Sequence, residues 1–271
     1  MNSFLIIFLF FSIVAGIIYL CRKFYPLSKW FSSFLLISLG ITAWNTYHSR
    51  IPHTHTALFK AYMPVMDQSI SNQVLLDVPI VKQLPELPRG CEVTSLTMLL
   101  QYAGVDTDKM TLARQIKKNP AKMQKINGQV HFGDPNDGFI GDMYNIHQPG
   151  LGVYHTPIKE LAEHYLPGKI IDFTNGDFSQ IKKYLSQNRP IWVIINTAYK
   201  KLDSSYFHTW ETSNGEISVT YKEHSVVVTG YDQDFIYFND PLTGHKNKKA
   251  PIADFEKAWV QMGRQAITYK D

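Results

Sequence analysis

The stretch LPRGCEVTSLTMLL, residues 87–100, decides the fold and contains Cys91. Apolar residues recur behind the cysteine at helical spacing, and Gly104 stands where a helix C-terminal cap is expected. The pattern therefore predicts a helix from Cys91 to Ala103 that carries the cysteine in its first turn.

A cysteine at this position has a chemical consequence. A free thiol has a pKa of about 8.5, and the unpaired N–H groups and the dipole at a helix N-terminus lower it. Cys21 and Cys91 are the two cysteines of the chain, so the sequence contains neither a disulfide framework nor a zinc site of the Cys-x-x-Cys kind. The thiol of Cys91 is a candidate nucleophile; the alternative interpretation is a small buried apolar side chain.

The overall composition is that of a globular protein. The chain has 271 residues, of which 45% are hydrophobic and 18% charged, and its 27 basic and 23 acidic residues give a net charge of +4. The run HKNKK, residues 245–249, is short and lacks interleaved aromatic residues, which favours a solvated loop. No nucleic-acid partner is therefore predicted.

Two apolar runs at the N-terminus, residues 4–20 and 30–44, indicate contact with lipid. They predict two transmembrane helices at about 4–20 and 28–46, which form a membrane anchor over residues 1–47. Basic residues between the runs are expected to stay cytoplasmic, which places the rest of the chain outside the cell membrane. A cleaved signal peptide and a second run lying in the membrane interface are the alternatives.

Three further regions follow the predicted anchor. Residues 48–72 lack a clear period and are interpreted as a stalk, in which His53 and His55 are more typical of a solvated linker than of a metal site. Residues 73–271 are enough for a sizeable core. Within them, residues 127–156 are rich in Gly, Asp, Asn and Pro and are interpreted as a functional or covering loop.

The order of elements in the globular part indicates an α+β fold. Residues 73–83 are predicted to form a strand, and a helix is predicted at 108–118. Two further helices are predicted to begin at Thr156-Pro157 and at a capping box formed by Asp177 and Gln180. Strand-like patterns then recur, at 190–197, 216–222, 224–232 and 234–241. A helix at 250–263 and a strand at 265–269 end the chain. Because helices precede an antiparallel sheet, the layout is α+β rather than alternating βαβ.

A predicted hairpin brings a histidine and a carboxylate together. His224 opens one strand and Asp240 closes the next, so the two are expected to face each other directly or one residue off. The His224 and Asp240 side chains lie on the same face of the sheet only if the two residues pair directly or if a bulge shifts the register. Taken singly, His224 is also typical of a solvent-facing edge histidine, and Asp240 of an Asp-Pro turn.

Acyl transfer also needs hydrogen-bond donors for the oxyanion. The N–H of Cys91 is one candidate, and the side-chain amide of Gln83, at the end of the first predicted strand, is a second. In isolation, Gln83 is equally typical of a polar residue at a strand end.

As a set, these motifs resemble the C39-like cysteine peptidase family, papain-fold relatives of the bacteriocin-leader peptidases. The resemblance covers about residues 73–271 and rests on GCEVTSLTMLL, HSVVVTGYD and the following NDP. It implies a papain-like fold, with helices packed on an antiparallel sheet, and a peptide substrate without a metal or organic cofactor. It also implies roles for four residues: Cys91 as nucleophile, His224 as base, Asp240 as orienting acid and Gln83 as oxyanion donor.

Three functions remain open at this point. The first is a membrane-anchored, outward-facing cysteine peptidase, and the second is a silent module that binds a peptide or a cell-wall fragment. The third is an acyltransferase that passes the same acyl group to an amine. A buried Cys91 sulfur out of hydrogen-bond reach of His224 would favour the binding module.

Overall fold

The computed structural model describes residues 70–270. None of the helices within that range is long and apolar enough to cross a bilayer. The two predicted transmembrane segments, and the predicted stalk up to residue 69, lie outside the described residues.

Five α-helices lie in the described part of the chain. They are α1 (Cys91–Tyr102), α2 (Lys109–Gln115), α3 (His155–Tyr165), α4 (Phe178–Ser186) and α5 (Ile252–Gln261). Asp108 caps α2 by accepting hydrogen bonds from two backbone N–H groups of the first turn. Asp177 and Gln180 form the predicted capping box at the start of α4.

The strands of residues 70–270 are short in the first half and long in the second. They are β1 (Val74–Leu75), β2 (Lys118–Asn119), β3 (Gln124–Ile126), β4 (Gln129–His131), β5 (Phe139–Ile140), β6 (Ile170–Asp172), β7 (Ile191–Asn196), β8 (His208–Thr212), β9 (Gly215–Val219), β10 (Glu223–Tyr231), β11 (Phe235–Asp240), β12 (His245–Pro251) and β13 (Ala266–Tyr269). A short 3₁₀ turn, Ser204–Tyr206, precedes β8.

The main sheet is antiparallel and has seven strands. Its order is β12-β11-β10-β7-β13-β6, and β1 pairs with β10. A four-stranded sheet, β3-β4-β8-β9, and the parallel pair β2-β5 stand apart from it. The predicted strand at 216–222 therefore exists as β9 but belongs to the smaller sheet, where it pairs with β8.

Helices cover both faces of the main sheet. Along β7, Val193 and Ile195 pack into one apolar cluster with residues of α4 and α5. Trp192 and Ile194 pack into the other cluster, with residues of α1, α2 and α3. Because successive side chains of a strand point to opposite faces, the fully buried β7 separates two cores. The predicted α+β class, with helices packed on an antiparallel sheet, is confirmed.

Two local predictions were wrong. The first predicted strand, residues 73–83, is reduced to Val74–Leu75, since Pro79 interrupts the run and has no N–H to donate to a ladder. The basic run at 245–249 is not a loop but the start of β12, which pairs with β11 at the edge of the sheet. Lysines are common on edge strands, where their charges discourage pairing with another chain.

Candidate active site

The position of Cys91 is set by two bonds that tie the start of α1 to the main sheet. The indole Nε1 of Trp192 on β7 donates to the carbonyl of Glu92 at 3.0 Å. The hydroxyl of Ser95 donates to the carbonyl of Ser225 on β10 at 3.1 Å. Both contacts are buried, so the first turn of α1 is held against the strand that carries the candidate base.

His224 and Asp240 meet, but not by direct pairing. The ladder aligns Val227 with Asn239, which places Asp240 two positions from the point opposite His224. Positions two residues apart share a face of a strand, and diagonal neighbours remain within reach of long side chains. The His224 Nε2 and Asp240 Oδ1 atoms are accordingly 2.9 Å apart, and both side chains are buried.

The carboxylate of Asp240 is held by three further side chains. It accepts hydrogen bonds from Tyr199 Oη at 2.8 Å, Thr243 Oγ1 at 2.7 Å and Lys248 Nζ at 2.9 Å. Burial alone would raise the pKa of Asp240, but the bonds from His224, Thr243 and Lys248 lower it well below its ordinary value. Asp240 is therefore a fixed negative charge beside the imidazole.

Tyr199 and Lys248 were missed by the sequence analysis. Tyr199 has φ of 53°, a left-handed conformation that is uncommon for a bulky residue, and its ring centroid lies 6.3 Å from that of His224. The Lys248 ammonium lies 4.5 Å from the Tyr199 ring centroid. The polar sequence of β12, HKNKKAP, has no alternating pattern and was interpreted as a loop, so it offered no signal for Lys248.

The Cys91 sulfur is enclosed, with 6% of the residue exposed. Its Sγ lies 3.3 Å from Glu92 Oε2, and the backbone N–H of Ser225 lies near enough to favour the thiolate. Burial and the nearby carboxyls of Glu92 and Glu223 raise the pKa of the thiol well above its ordinary value, against the smaller lowering by Ser225. The expectation that the helix N-terminus lowers this pKa is therefore wrong for this arrangement, in which desolvation dominates.

Cys91 and His224 lie close together without a direct bond. Ser225, whose backbone N–H lowers the pKa of the thiol, follows His224 on β10. Among residues 70–270, no hydrogen bond joins the two side chains. Because Nε2 of His224 is bonded to Asp240, Nδ1 is the ring nitrogen left for the thiol.

Gln83 lies in a buried loop rather than at a strand end. Its backbone N–H donates to the carbonyl of Pro241 at 2.9 Å, and its Nε2 donates to the carbonyl of Pro88 at 3.2 Å. Its Oε1 is buried and has no hydrogen-bond partner among the described residues. The structure thus places Gln83 between the end of β11 and the turn before Cys91, but it shows no contact with the sulfur.

Two buried acids next to Cys91 were not predicted. Glu92 Oε1 accepts the backbone N–H of Val153 at 2.7 Å. Glu223 lies 9% exposed, and its Oε1 has no partner among residues 70–270. Burial raises the pKa of both carboxyls, and for Glu223 the charge of Glu92 raises it further. A side chain at Gly152 would overlap the Glu92 carboxyl and would displace it from its present position.

Part of the predicted covering loop is fastened to the turn before the nucleophile. The guanidinium of Arg89 donates to the carbonyls of Asp142, Asn145 and Ile146, at 3.1, 2.8 and 2.8 Å. The backbone N–H of Arg89 also donates to the carbonyl of Met143. This segment of residues 127–156 is therefore an ordered neighbour of Cys91.

Comparison with protein families matches residues 75–267 to the Peptidase_C39 like family. The match spans most of the chain and includes Cys91, His224 and Asp240. The chain belongs to the C39-like peptidase family. The predicted family resemblance is thereby confirmed.

Two relatives support this assignment to the C39-like family. The uncharacterized protein YvpB of Bacillus subtilis (strain 168) is 48% identical over 194 residues, which are 71% of this chain and 74% of that protein. The crystal structure of a candidate C39-like peptidase from Bacillus anthracis matches with a TM-score of 0.70 and 48% identity. That match covers 74% of this chain and 98% of the other.

The C39-like domain brings a thiol, an imidazole and a carboxylate to one place. Nucleophilic catalysis by cysteine needs this combination, with the base oriented by a third group. Of the four predicted site residues, His224 and Asp240 are in direct contact. Cys91 lies near Ser225, the neighbour of His224 on β10, and Gln83 reaches the turn before Cys91.

Proposed function

We propose that the protein is a cysteine peptidase that hydrolyses an amide bond in a peptide. Cys91 is the nucleophile, His224 the general base and acid, and Asp240 the group that orients the imidazole. The observation that carries the proposal is the His224–Asp240 bond, which leaves Nδ1 available on the residue next to Ser225, whose backbone N–H lies near the Cys91 sulfur.

The reaction begins from a neutral thiol, in accordance with the raised pKa of Cys91. Sγ leaves Glu92 and attacks the carbonyl carbon while Nδ1 of His224 takes the thiol proton. The C–N bond breaks, and the imidazolium gives its proton to the departing amine. A water molecule, deprotonated by His224, then hydrolyses the thioester and regenerates the thiol.

Asp240 stabilises the imidazolium that forms during both steps. Its carboxylate is already desolvated and bonded, so no rearrangement is needed when the positive charge appears beside it. The N–H of Cys91 has no carbonyl partner within α1, because the first N–H groups of a helix are unpaired. It is proposed to bind the oxyanion together with the second Nε2 hydrogen of Gln83.

The proposed location of the peptidase is the outer face of the cell membrane. The apolar runs at 4–20 and 30–44 and the basic residues between them support a two-helix anchor in contact with lipid. The test is labelling of the intact cell with a membrane-impermeant reagent, using an epitope placed after residue 271. An epitope that becomes accessible only after the cells are lysed would contradict this location.

The activity is tested by incubating the purified full-length chain with a peptide library and sequencing the products. Cys91→Ala is expected to abolish cleavage, whereas Cys21→Ala serves as the matched cysteine control and is expected to cleave normally. Hydrolysis in ¹⁸O-water labels the new carboxyl group, and transfer to an added amine does not. Cleavage by Cys91→Ala at the wild-type rate would contradict the proposal.

A second candidate function is a peptide-binding module that does no chemistry. The observation that favours it is the enclosed sulfur without a hydrogen bond to His224 among the described residues. Hydrogen bonds of catalytic residues are often incomplete before substrate binds, which keeps the peptidase the better-supported function. A library peptide that is retained but not cleaved, with equal affinity for wild type and Cys91→Ala, would support the module.

A further inference from the structure

A thiol and two carboxyls lie together in a buried cluster at the start of α1. One ligand atom each from Cys91, Glu92 and Glu223 lies within 4.8 Å of the other two. The proposed peptidase reaction uses the thiol and gives no role to either carboxyl.

Glu223 is the member of the cluster whose environment is unexplained. The residue is 9% exposed, and its Oε1 is buried and has no hydrogen-bond partner among residues 70–270. An unpaired buried carboxylate is costly, and in proteins such groups hold a proton, pair with a cation or coordinate a metal. A proton would neutralise the charge of Glu223 but would leave Oε1 without a donor.

No side chain of the described residues supplies the missing cation. None of their ion pairs involves Glu92 or Glu223. Lys118 lies close enough to affect Glu92 electrostatically, but its ammonium donates to the carbonyl of Ala113 at 2.9 Å. Burial lowers the pKa of Lys118 to about 8, and its ammonium forms no ion pair with either carboxyl.

We propose that Cys91, Glu92 and Glu223 form a site for one divalent cation of the zinc class. The ion would bind Sγ of Cys91, Oε2 of Glu92 and one oxygen of Glu223. It would give the buried Glu223 carboxylate a partner and neutralise the adjacent Glu92 carboxylate. Binding replaces the thiol proton of Cys91 and any proton held by the two carboxyls, and these protons are released to solvent.

The ligand set selects the class of ion. Calcium and magnesium take oxygen ligands, whereas a thiolate favours zinc and softer ions. Zinc binds sulfur at about 2.3 Å and carboxylate oxygen at roughly 2.0–2.2 Å, so tetrahedral ligand atoms lie about 3.5 Å apart. In the cluster, Sγ of Cys91 lies 3.3 Å from Oε2 of Glu92, and the ligand atom of Glu223 lies within 4.8 Å of those of Cys91 and Glu92. Three protein ligands leave a fourth position for water.

Such an ion would hold the nucleophile in an inactive form. A metal-bound thiolate cannot attack a carbonyl, and Sγ would stay on the Glu92 side, away from Nδ1 of His224. This consequence rests on the proposed peptidase function, whereas the ion site itself does not. Zinc would then be a reversible inhibitor that is removed by a chelator.

The ion site is tested with cadmium, whose bond to a thiolate gives an ultraviolet charge-transfer band. The full-length chain carrying Cys21→Ser, washed with chelator, is titrated with Cd²⁺. One ion per chain is expected to produce the band, and Glu223→Gln is expected to weaken binding by at least about tenfold. Glu216→Gln, an exposed position on β9, is the matched control and is expected to bind as the parent does.

Zinc provides the second readout, because it should protect Cys91 from alkylation by iodoacetamide and a chelator should remove the protection. Absence of the cadmium band, or an equal affinity in Glu223→Gln, would overturn the site. Peptide cleavage is measured separately in chelator. Peptide cleavage without a cadmium band would reject the ion site and leave the peptidase proposal standing. A cadmium band without peptide cleavage would reject the peptidase and leave the ion site standing.

Discussion

The imidazole of His224 and the carboxylate of Asp240 lie 2.9 Å apart, although the two residues are offset by two positions across the β10–β11 ladder. The offset keeps both side chains on one face of the sheet, and the carboxylate reaches back along β10 to Nε2. The hairpin therefore orients the ring with Nε2 occupied and Nδ1 free.

Replacing Asp240 should cost stability in a pH-dependent way. Its pKa is lowered in the folded protein, so its charge contributes stability that is fully present above the ordinary value of 3.8 and is lost as the pH falls towards the lower folded value. Asp240→Asn is expected to lower the free energy of unfolding by about 3 kcal/mol at pH 7. The difference from wild type should shrink below about pH 4.

Urea unfolding at pH 7 and at acidic pH measures this difference. Asp234→Asn, an exposed position in the turn between β10 and β11, is the control and should change stability little. A loss in Asp240→Asn that stays the same at both pH values would show that the charge of Asp240 does not provide the stabilisation.

Tyr199→Phe tests the contribution of the Tyr199 hydroxyl separately from that of its ring. The variant keeps the packing on Phe238 but loses the 2.8 Å bond to Asp240. A hydrogen bond to a charged group contributes about 1.5–3 kcal/mol. A loss of about 1.4 kcal/mol in the transition state would reduce turnover about tenfold. Exposed Tyr206→Phe is the control, and equal kcat/KM for both variants would exclude a role for the Tyr199 hydroxyl.

Two buried tryptophans provide a matched pair for testing how α1 is positioned. Trp192 Nε1 bonds to the carbonyl of Glu92, and Trp259 Nε1 bonds to the carbonyl of Gln265, each at 3.0 Å. Both Phe variants should lose about 1–3 kcal/mol of stability. Only Trp192→Phe is expected to lower kcat/KM, because only that bond holds the turn that carries Cys91. Equal effects of the two variants on kcat/KM would mean that the Trp192 bond stabilises the fold without positioning Cys91.

Arg89→Ala should release the loop beside the nucleophile. The variant removes three side-chain bonds to carbonyls in residues 142–146, so hydrogen exchange of amides across this segment should accelerate. Arg114→Ala on α2 removes a single bond to Thr111 and is expected to leave this exchange unchanged. Wild-type exchange rates in Arg89→Ala would show that other contacts order the loop.

The parts of the site that the sequence predicted are those set by local patterns. The helix that begins at Cys91 follows from apolar spacing, and the encounter of His224 with Asp240 follows from strand alternation across a short turn. Gln83 was predicted at a strand end, but Pro79 interrupts the run 73–83 and the strand stops before Gln83.

The remaining parts depend on partners that no local pattern connects. Glu92 and Glu223 are far apart in sequence and meet only because α1 packs on β10. Lys248 bonds to Asp240 from β12, a strand whose polar sequence resembled a loop. Tyr199 bonds to Asp240 from the loop after β7. Burial of the thiol, which raises its pKa, is likewise a property of the packed fold and not of the helix start alone.

The most direct test of the central claim is the detection of an acyl-enzyme on Cys91. The full-length chain is mixed with a cleaved library peptide, quenched in acid and digested, and the Cys91 peptide is weighed by mass spectrometry. A thioester on Cys91 that hydroxylamine removes is expected, and it should form at least about 100-fold more slowly in His224→Ala. Product formation without any adduct on Cys91, at the same rate in His224→Ala, would contradict that claim.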